Sequence, residues 1–300
     1  MNGRCAANTP PSNDALLPTA SVSRSAALLP LVAGRILLKR RRGRTLGVIR
    51  HSHLLNLTED RLRAPEDQRV RFFVYIIESP SPVDVYHGRG EGQMVAQGVR
   101  LNQIPVVVRT AISREAFNAS LGVGLAEAMQ AFPGLVPLLH ISAHGNDEGI
   151  GLSSGEHIGW AELRELFKPI NQALKGGLLV CLSCCKGYSG IRMAMYPDDP
   201  SAPYFALIGN FGSPTWADTA VAYTTLYHLL AKGEYLVDAV PAMRLASGND
   251  DFLLESSEQS KQAYLAYLQT IDVQAAEDRL EASVASESSD LPAATEKFAS

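Results

Sequence analysis

From about residue 70 to residue 250 the chain alternates short runs of β-branched, aliphatic and aromatic residues with longer stretches whose apolar positions recur every three or four residues. The first pattern is that of strands and the second that of helices with one buried face. Strands are predicted at Arg71 to Ile77, Pro105 to Arg109, Val136 to Ser142, Gly177 to Leu182 and Tyr204 to Ile208, each a short apolar run bounded by turn residues. Helices are predicted at Ser113 to Phe132, Trp160 to Leu174, Trp216 to Leu230 and Tyr235 to Ala246, the last two stopping just before Gly233 and Gly248. A longer polar helix is expected from about Glu258 to Ala282. Strands that alternate with helices pair in parallel, because each helix carries the chain back across the sheet. The pattern therefore predicts an α/β fold, a mostly parallel sheet of about five to six strands with helices on both faces.

The ends break this pattern. Residues 1–68 mix Pro, Ser, Arg and Asn without periodicity and read as a weakly ordered extension. A folded domain is expected over 69–255. Residues 256–300 read as a C-terminal helix and a frayed tail rich in Ser, Ala and Glu. The apolar stretch 25–34 is stopped by Arg35, short of the roughly 20 residues a membrane span needs. The basic residues near it mostly follow the apolar run, as Lys39 to Arg42 and Arg44 do, instead of preceding it, so it does not read as a secretory signal. No membrane span is expected.

Composition narrows the function classes. With 46% hydrophobic and 19% charged residues the chain is globular, and a net charge of -4 gives no general attraction to nucleic acid. Four cysteines, three of them crowded at 181, 184 and 185, suit reduced thiols better than a disulfide framework. A cytoplasmic protein is expected.

Ligands of open α/β sheets collect outside the carboxyl ends of the strands, which directs attention to two strand ends. The third predicted strand runs into Ala143-His144-Gly145, and the fourth into Ser183-Cys184-Cys185-Lys186-Gly187. If those strands are neighbours, an imidazole and a thiol face one crevice. The imidazole can take the thiol proton and hold the thiolate, making a nucleophile and base. The amides of Gly145 and Cys185 could then donate to the oxyanion of a tetrahedral intermediate. Strand alternation puts Cys181, Ser183 and Cys185 on one face and Cys184 on the other.

These two blocks resemble the caspase-like (clan CD) cysteine peptidases: caspases, metacaspases, separases and bacterial CHAT-type peptidases. The resemblance covers roughly residues 70–250. It rests on an apolar strand ending in His144-Gly145, a Ser183-x-Cys185-x-Gly187 block 185 minus 144, or 41, residues later, and the intervening segments 149–152 and 156–159, which read as a small hairpin. Caspases place the His about 50 residues before a Q-A-C-[RQG]-G block, of which this chain keeps only the end. The resemblance implies a caspase-like fold and endopeptidase activity, with His144 and Cys185 as the catalytic dyad and Cys185 selected among the thiols by the Ser-x-Cys-x-Gly spacing. It implies a protein or peptide substrate, a regulatory protein partner in signalling or defence, and no metal or organic cofactor. It also nominates Arg89, Ser183, Trp216 and Asp218 as substrate-binding residues. A plainer expectation for Arg89 is that it anchors its loop or pairs with Glu91, and for Trp216 that it packs at a helix entry. Ser183 stands where metacaspases carry an acidic residue, which removes one support for basic specificity.

Other patterns are weaker. His140 and His144 with Cys181 and Cys184 have zinc-like spacings, but the two cysteines lie in a strand and point to opposite faces. Gly151-x-Ser153-x-Gly155 fits a serine-hydrolase elbow, yet no helix follows it. The segment His87 to Gly92 lacks the pattern of a phosphate loop. The expected function is a cysteine endopeptidase, the alternatives being a catalytically inactive interaction module of the same fold or a serine hydrolase using Ser153.

Overall fold

The computed structural model describes residues 71–271. The expectations for residues 1–68, for the tail 283–300 and for the end of the C-terminal helix lie outside the described residues. Within them the chain forms β1 (Phe72–Ser79), α1 (Pro82–Tyr86), α2 (Glu91–Leu101), β2 (Val106–Thr110), α3 (Arg114–Ala119), α4 (Leu125–Ala131), β3 (Val136–Gly145), β4 (Gly149–Gly151) and β5 (His157–Gly159). It continues with α5 (Trp160–Ala173), β6 (Leu179–Ser183), a 3₁₀ turn (Gly187–Ala194), β7 (Ala206–Asn210), α6 (Trp216–Ala231), α7 (Leu236–Ser247), β8 (Phe252–Ser256) and α8 (257–271).

The sheet runs β2-β1-β3-β6-β7-β8. All neighbours on this path are parallel except β8, which is antiparallel to β7. The β4–β5 hairpin grows from the end of β3 and brings the strand count to eight. Along β1 every residue is buried, and alternate side chains serve opposite cores. Phe73, Tyr75 and Ile77 join Phe117, Leu125, Leu163 and Phe167 on one face. Phe72, Val74 and Ile76 join Val95, Val99, Leu226 and Met243 on the other. Helices thus cover both faces, as the alternation predicts, and fully apolar runs become central strands.

The structure departs from the pattern in three places. The predicted helix over 113–132 contains a π turn at Ser120–Gly124. There the Tyr75 hydroxyl donates to Ser120 O at 2.7 Å, and a Cβ on Gly124 would lie 2.7 Å from it. The buried hydroxyl finds its acceptor by widening the helix. The short helices α1 and α2 fill the connection between β1 and β2. The N-cap of α2, Gly90, has no side chain to offer, and Glu78 at the end of β1 accepts from the Gly92 amide at 2.7 Å instead. Finally, β8 is a strand the pattern does not announce, because only Phe252 of its five residues is fully buried. It nevertheless braces the sheet: Phe252 meets Tyr223 edge-on at 5.7 Å, and the Tyr223 hydroxyl reaches Leu182 O and Ile208 O.

Candidate active site

Beyond Ser183 the chain leaves β6 in a tight turn. Lys186 adopts a left-handed conformation at φ 56°, and a Cβ on Gly187 would lie 2.8 Å from Leu182 O. Only glycine fits Gly187, and this explains the Cys-Lys-Gly order. The turn is held from the β7 side. The Lys186 amide donates to Gly212 O at 2.8 Å, its ammonium lies 5.1 Å from the Phe211 ring centre, and Gly209 presses its bare backbone against Gly187 and Tyr188. Tyr188 donates to Glu255 of β8.

His144 reaches the same height from the neighbouring strand. The paired register of β3 and β6 ends at Ser142 opposite Ser183, so His144 and Cys185 each stand two residues further on. Up to that pair the two strands lie about 4.8 Å apart, and beyond it the chain after Ser183 turns. The backbones touch there, since a Cβ on Gly145 would lie 2.7 Å from Cys185 O. A second tie joins the segments that follow. Asp147 O accepts from Trp160 Nε1 at 2.9 Å and from Arg192, and the Asp147 carboxylate accepts from Ser189.

The imidazole is oriented by a carboxylate. His144 Nε2 lies 3.0 Å from Asp84 Oδ2, while Asp84 Oδ1 pairs with Arg89 Nε at 3.1 Å. Asp84 sits in α1, whose N-cap Ser81 donates to its carboxylate at 2.6 Å. Burial alone would raise the Asp84 pKa; the Ser81 hydroxyl, His144 and Arg89 outweigh it and hold the carboxyl below its ordinary value. With Nε2 committed to Asp84, Nδ1 is the nitrogen left to exchange a proton with a thiol. Trp216, the first residue of α6, meets the imidazole edge-on with ring centres 5.5 Å apart.

The three thiols are not equivalent. Cys181 belongs to one core and Cys184 to the other, as alternation requires. Burial pushes the Cys181 pKa up to about 12 and the Cys184 pKa higher still, so both stay protonated. Cys185, at 8% exposure, is the least covered of the three. Of the two amides expected from the sequence as oxyanion donors, that of Gly145 has a direction set by the hairpin. Asn146 donates to Gly149 O at 3.0 Å, closing the hairpin, so Gly145 opposite Ile150 falls at the alternate ladder position, whose N–H turns away from β4.

The other sequence nominees have defined places. Arg89 anchors a loop, as the plainer expectation has it, but its partner is Asp84 and not Glu91, which bonds elsewhere. Ser183 is fully buried and donates to Glu91 at 3.0 Å. Asp218 completes a capping box with Thr215 at the start of α6. Ser153 donates to Pro80 O at 2.6 Å and lies 3.1 Å from the Ser79 hydroxyl, in a turn that ties β4 to the end of β1. His140 and His144 turn to different partners, and among the described residues no three His, Cys, Asp or Glu side chains converge to hold a metal ion. Asp84 is the residue the sequence pattern missed. Ser81-Pro82-x-Asp84 does carry a helix-start signal, but a contact to His144 across 60 positions leaves no local trace. A cavity of about 440 Å³ opens beside α1, lined by Glu78, Val85, Gly88, Gly90 and Met94 among others.

No family model matches this chain, and no curated protein does. Among solved structures the chain is similar to the Arg-specific cysteine proteinase gingipain R, with 13% identity and a TM-score of 0.39 over 65% of this chain and 46% of that one. A complex of the pro- and mature domains of RgpB from Porphyromonas gingivalis gives 12% identity and a TM-score of 0.37 over 67% and 53%. The chain thus spans about half the length of these structures. Among the described residues no helix is long and apolar enough to cross a membrane.

Proposed function

We propose that the protein is a cysteine endopeptidase of the caspase-like type in which Cys185 is the nucleophile, His144 the base and Asp84 the group that orients the base. The observation that carries this reading is that His144 and Cys185 follow the last paired residues of two adjacent strands, where Gly145 closes on the Cys185 backbone, with His144 Nε2 3.0 Å from Asp84. The Cys185 thiol gives its proton to His144 Nδ1, and the thiolate attacks the peptide carbonyl. The amides of Gly145 and Cys185 donate to the resulting oxyanion. On collapse His144 returns the proton to the leaving amine, and a water deprotonated by the same imidazole then hydrolyses the thioester. Regulated limited proteolysis of a protein substrate, gated by a partner protein, is what the resemblance implies, and the crowded reduced thiols suit the cytoplasm. A second reading, a non-catalytic interaction module, is favoured by the 8% exposure of Cys185, which leaves little of the residue open.

Labelling with a library of peptidyl acyloxymethyl ketones separates the two. An enzyme is modified at Cys185, and His144→Ala slows that modification by about 100-fold or more. Labelling that is absent, or indifferent to His144→Ala, supports the module.

A further inference from the structure

His140 lies at 0% exposure in β3 and the proposed chemistry does not use it. Its surroundings form a closed polar network inside an otherwise apolar core. His140 Nδ1 lies 2.9 Å from the Tyr227 hydroxyl and Nε2 lies 3.3 Å from Glu91 Oε2. Ser183 donates to Glu91 Oε1 at 3.0 Å, and Tyr227 is hydrogen-bonded to Cys181. One assignment of protons satisfies every member: the Cys181 thiol donates to Tyr227, Tyr227 to His140 Nδ1, and His140 Nε2–H and the Ser183 hydroxyl to the two oxygens of Glu91. Glu91, His140, Ser183 and Tyr227 all have side chains cut off from solvent.

A buried carboxylate is costly, and packed apolar residues would serve stability as well or better. What Glu91 provides is connection. It is the first residue of α2 and follows the segment 84–89 that supplies Asp84 and Arg89. It binds His140, four residues before His144, and Ser183, two residues before Cys185. One carboxylate therefore joins the three segments that carry Asp84, His144 and Cys185. The two oxygens of a single rigid group fix the lateral spacing of β3 and β6 just below the seam where imidazole and thiol must meet.

We propose that Glu91 is a positioning residue that sets the separation of His144 from Cys185, acting through His140 and Ser183. This rests on the dyad proposed above. Misplacing reacting groups by about 1 Å can cost around 100-fold in rate without a change in substrate affinity. Glu91→Gln keeps the size of the side chain but turns one acceptor into a donor, and so breaks one arm.

The test measures alkylation of Cys185 by a small haloacetamide, the kcat and KM for a cleaved peptide, and thermal unfolding, in the full chain. Glu91→Gln is expected to slow alkylation and lower kcat by about 10-fold or more with KM within about twofold of the parent. Ser183→Ala, which removes one arm without burying a new polar group, is expected to do the same to a smaller degree and keeps the question open to measurement if Glu91→Gln fails to fold. Phe167→Leu, on the opposite core, is the stability control and leaves both rates per folded molecule unchanged. If Glu91→Gln and Ser183→Ala lower the melting temperature while alkylation and kcat stay at parental values, the network is structural only and the proposal falls. If His144→Ala itself leaves alkylation unchanged, the dyad has failed, and the positioning role with it. The two failures are thereby told apart.

Discussion

At the scale of single residues, Asp84 changes the picture most. A lone imidazole near a thiol can rotate and exchange tautomers, whereas one bonded to a carboxylate is fixed in both respects. Asp84→Asn is expected to slow His144-dependent labelling of Cys185 by about 100-fold, because the amide can present its NH₂ to Nε2 and favour the wrong tautomer. Rates of labelling for parent and variant at neutral pH check this. The pH dependence of stability follows from the same contacts. Since folding lowers the Asp84 pKa below its ordinary 3.8, its contribution is present above that value and is lost as pH falls through the lower folded value. The stability difference between parent and Asp84→Asn, read from urea denaturation, should be largest near neutrality and vanish in strong acid. Which residues were legible in the sequence follows from their reach. Cys185 and His144 stand at the ends of apolar runs, whereas Asp84 and Glu91 bond across 60 and 92 positions respectively, and such contacts have no local signature.

Elements show where backbone contact decides. Gly145 closes directly on the Cys185 turn, and Gly145→Ala would press a methyl to within 2.7 Å of Cys185 O, a backbone atom that cannot swing aside. A loss of about 1–3 kcal/mol is expected, with loss of Cys185 labelling in the folded fraction. Gly122 is the counterpart. It lies in the π turn, where an added methyl would meet nothing within 4 Å, and it has no positive φ, so Gly122→Ala should stabilise by about 0.5–1 kcal/mol. Urea denaturation of both variants reads the contrast. Strong periodicity placed most elements to within a few residues, as at α5, predicted to end at Leu174 and ending at Ala173. The π turn escaped because its cause is a tyrosine on β1, 45 residues away from the carbonyl it binds.

For the molecule as a whole, the alternation of strands and helices carried the parallel sheet and its two covered faces, but not the order of strands. The adjacency of β3 and β6, on which the site depends, is a topological fact that periodicity leaves open. Nor did the pattern reveal β8, whose weight exceeds its length. Phe252→Ala removes a side chain at 0% exposure from the core shared with Tyr223 and should cost about 3–5 kcal/mol, measurable as a shift in the urea midpoint.

That last strand also bears on the order in which the protein is made. Asp84, His144 and Cys185 all precede it, yet the turn after Cys185 is braced through Tyr188 by Glu255, and Phe211 beneath Lys186 is tied to Asp251. A chain emerging from the ribosome therefore carries every residue of the proposed site well before it carries the brace on the turn after Cys185. Closure of that turn is deferred to the final stretch of the sheet, so an unfinished chain holds the proposed site in an unassembled form.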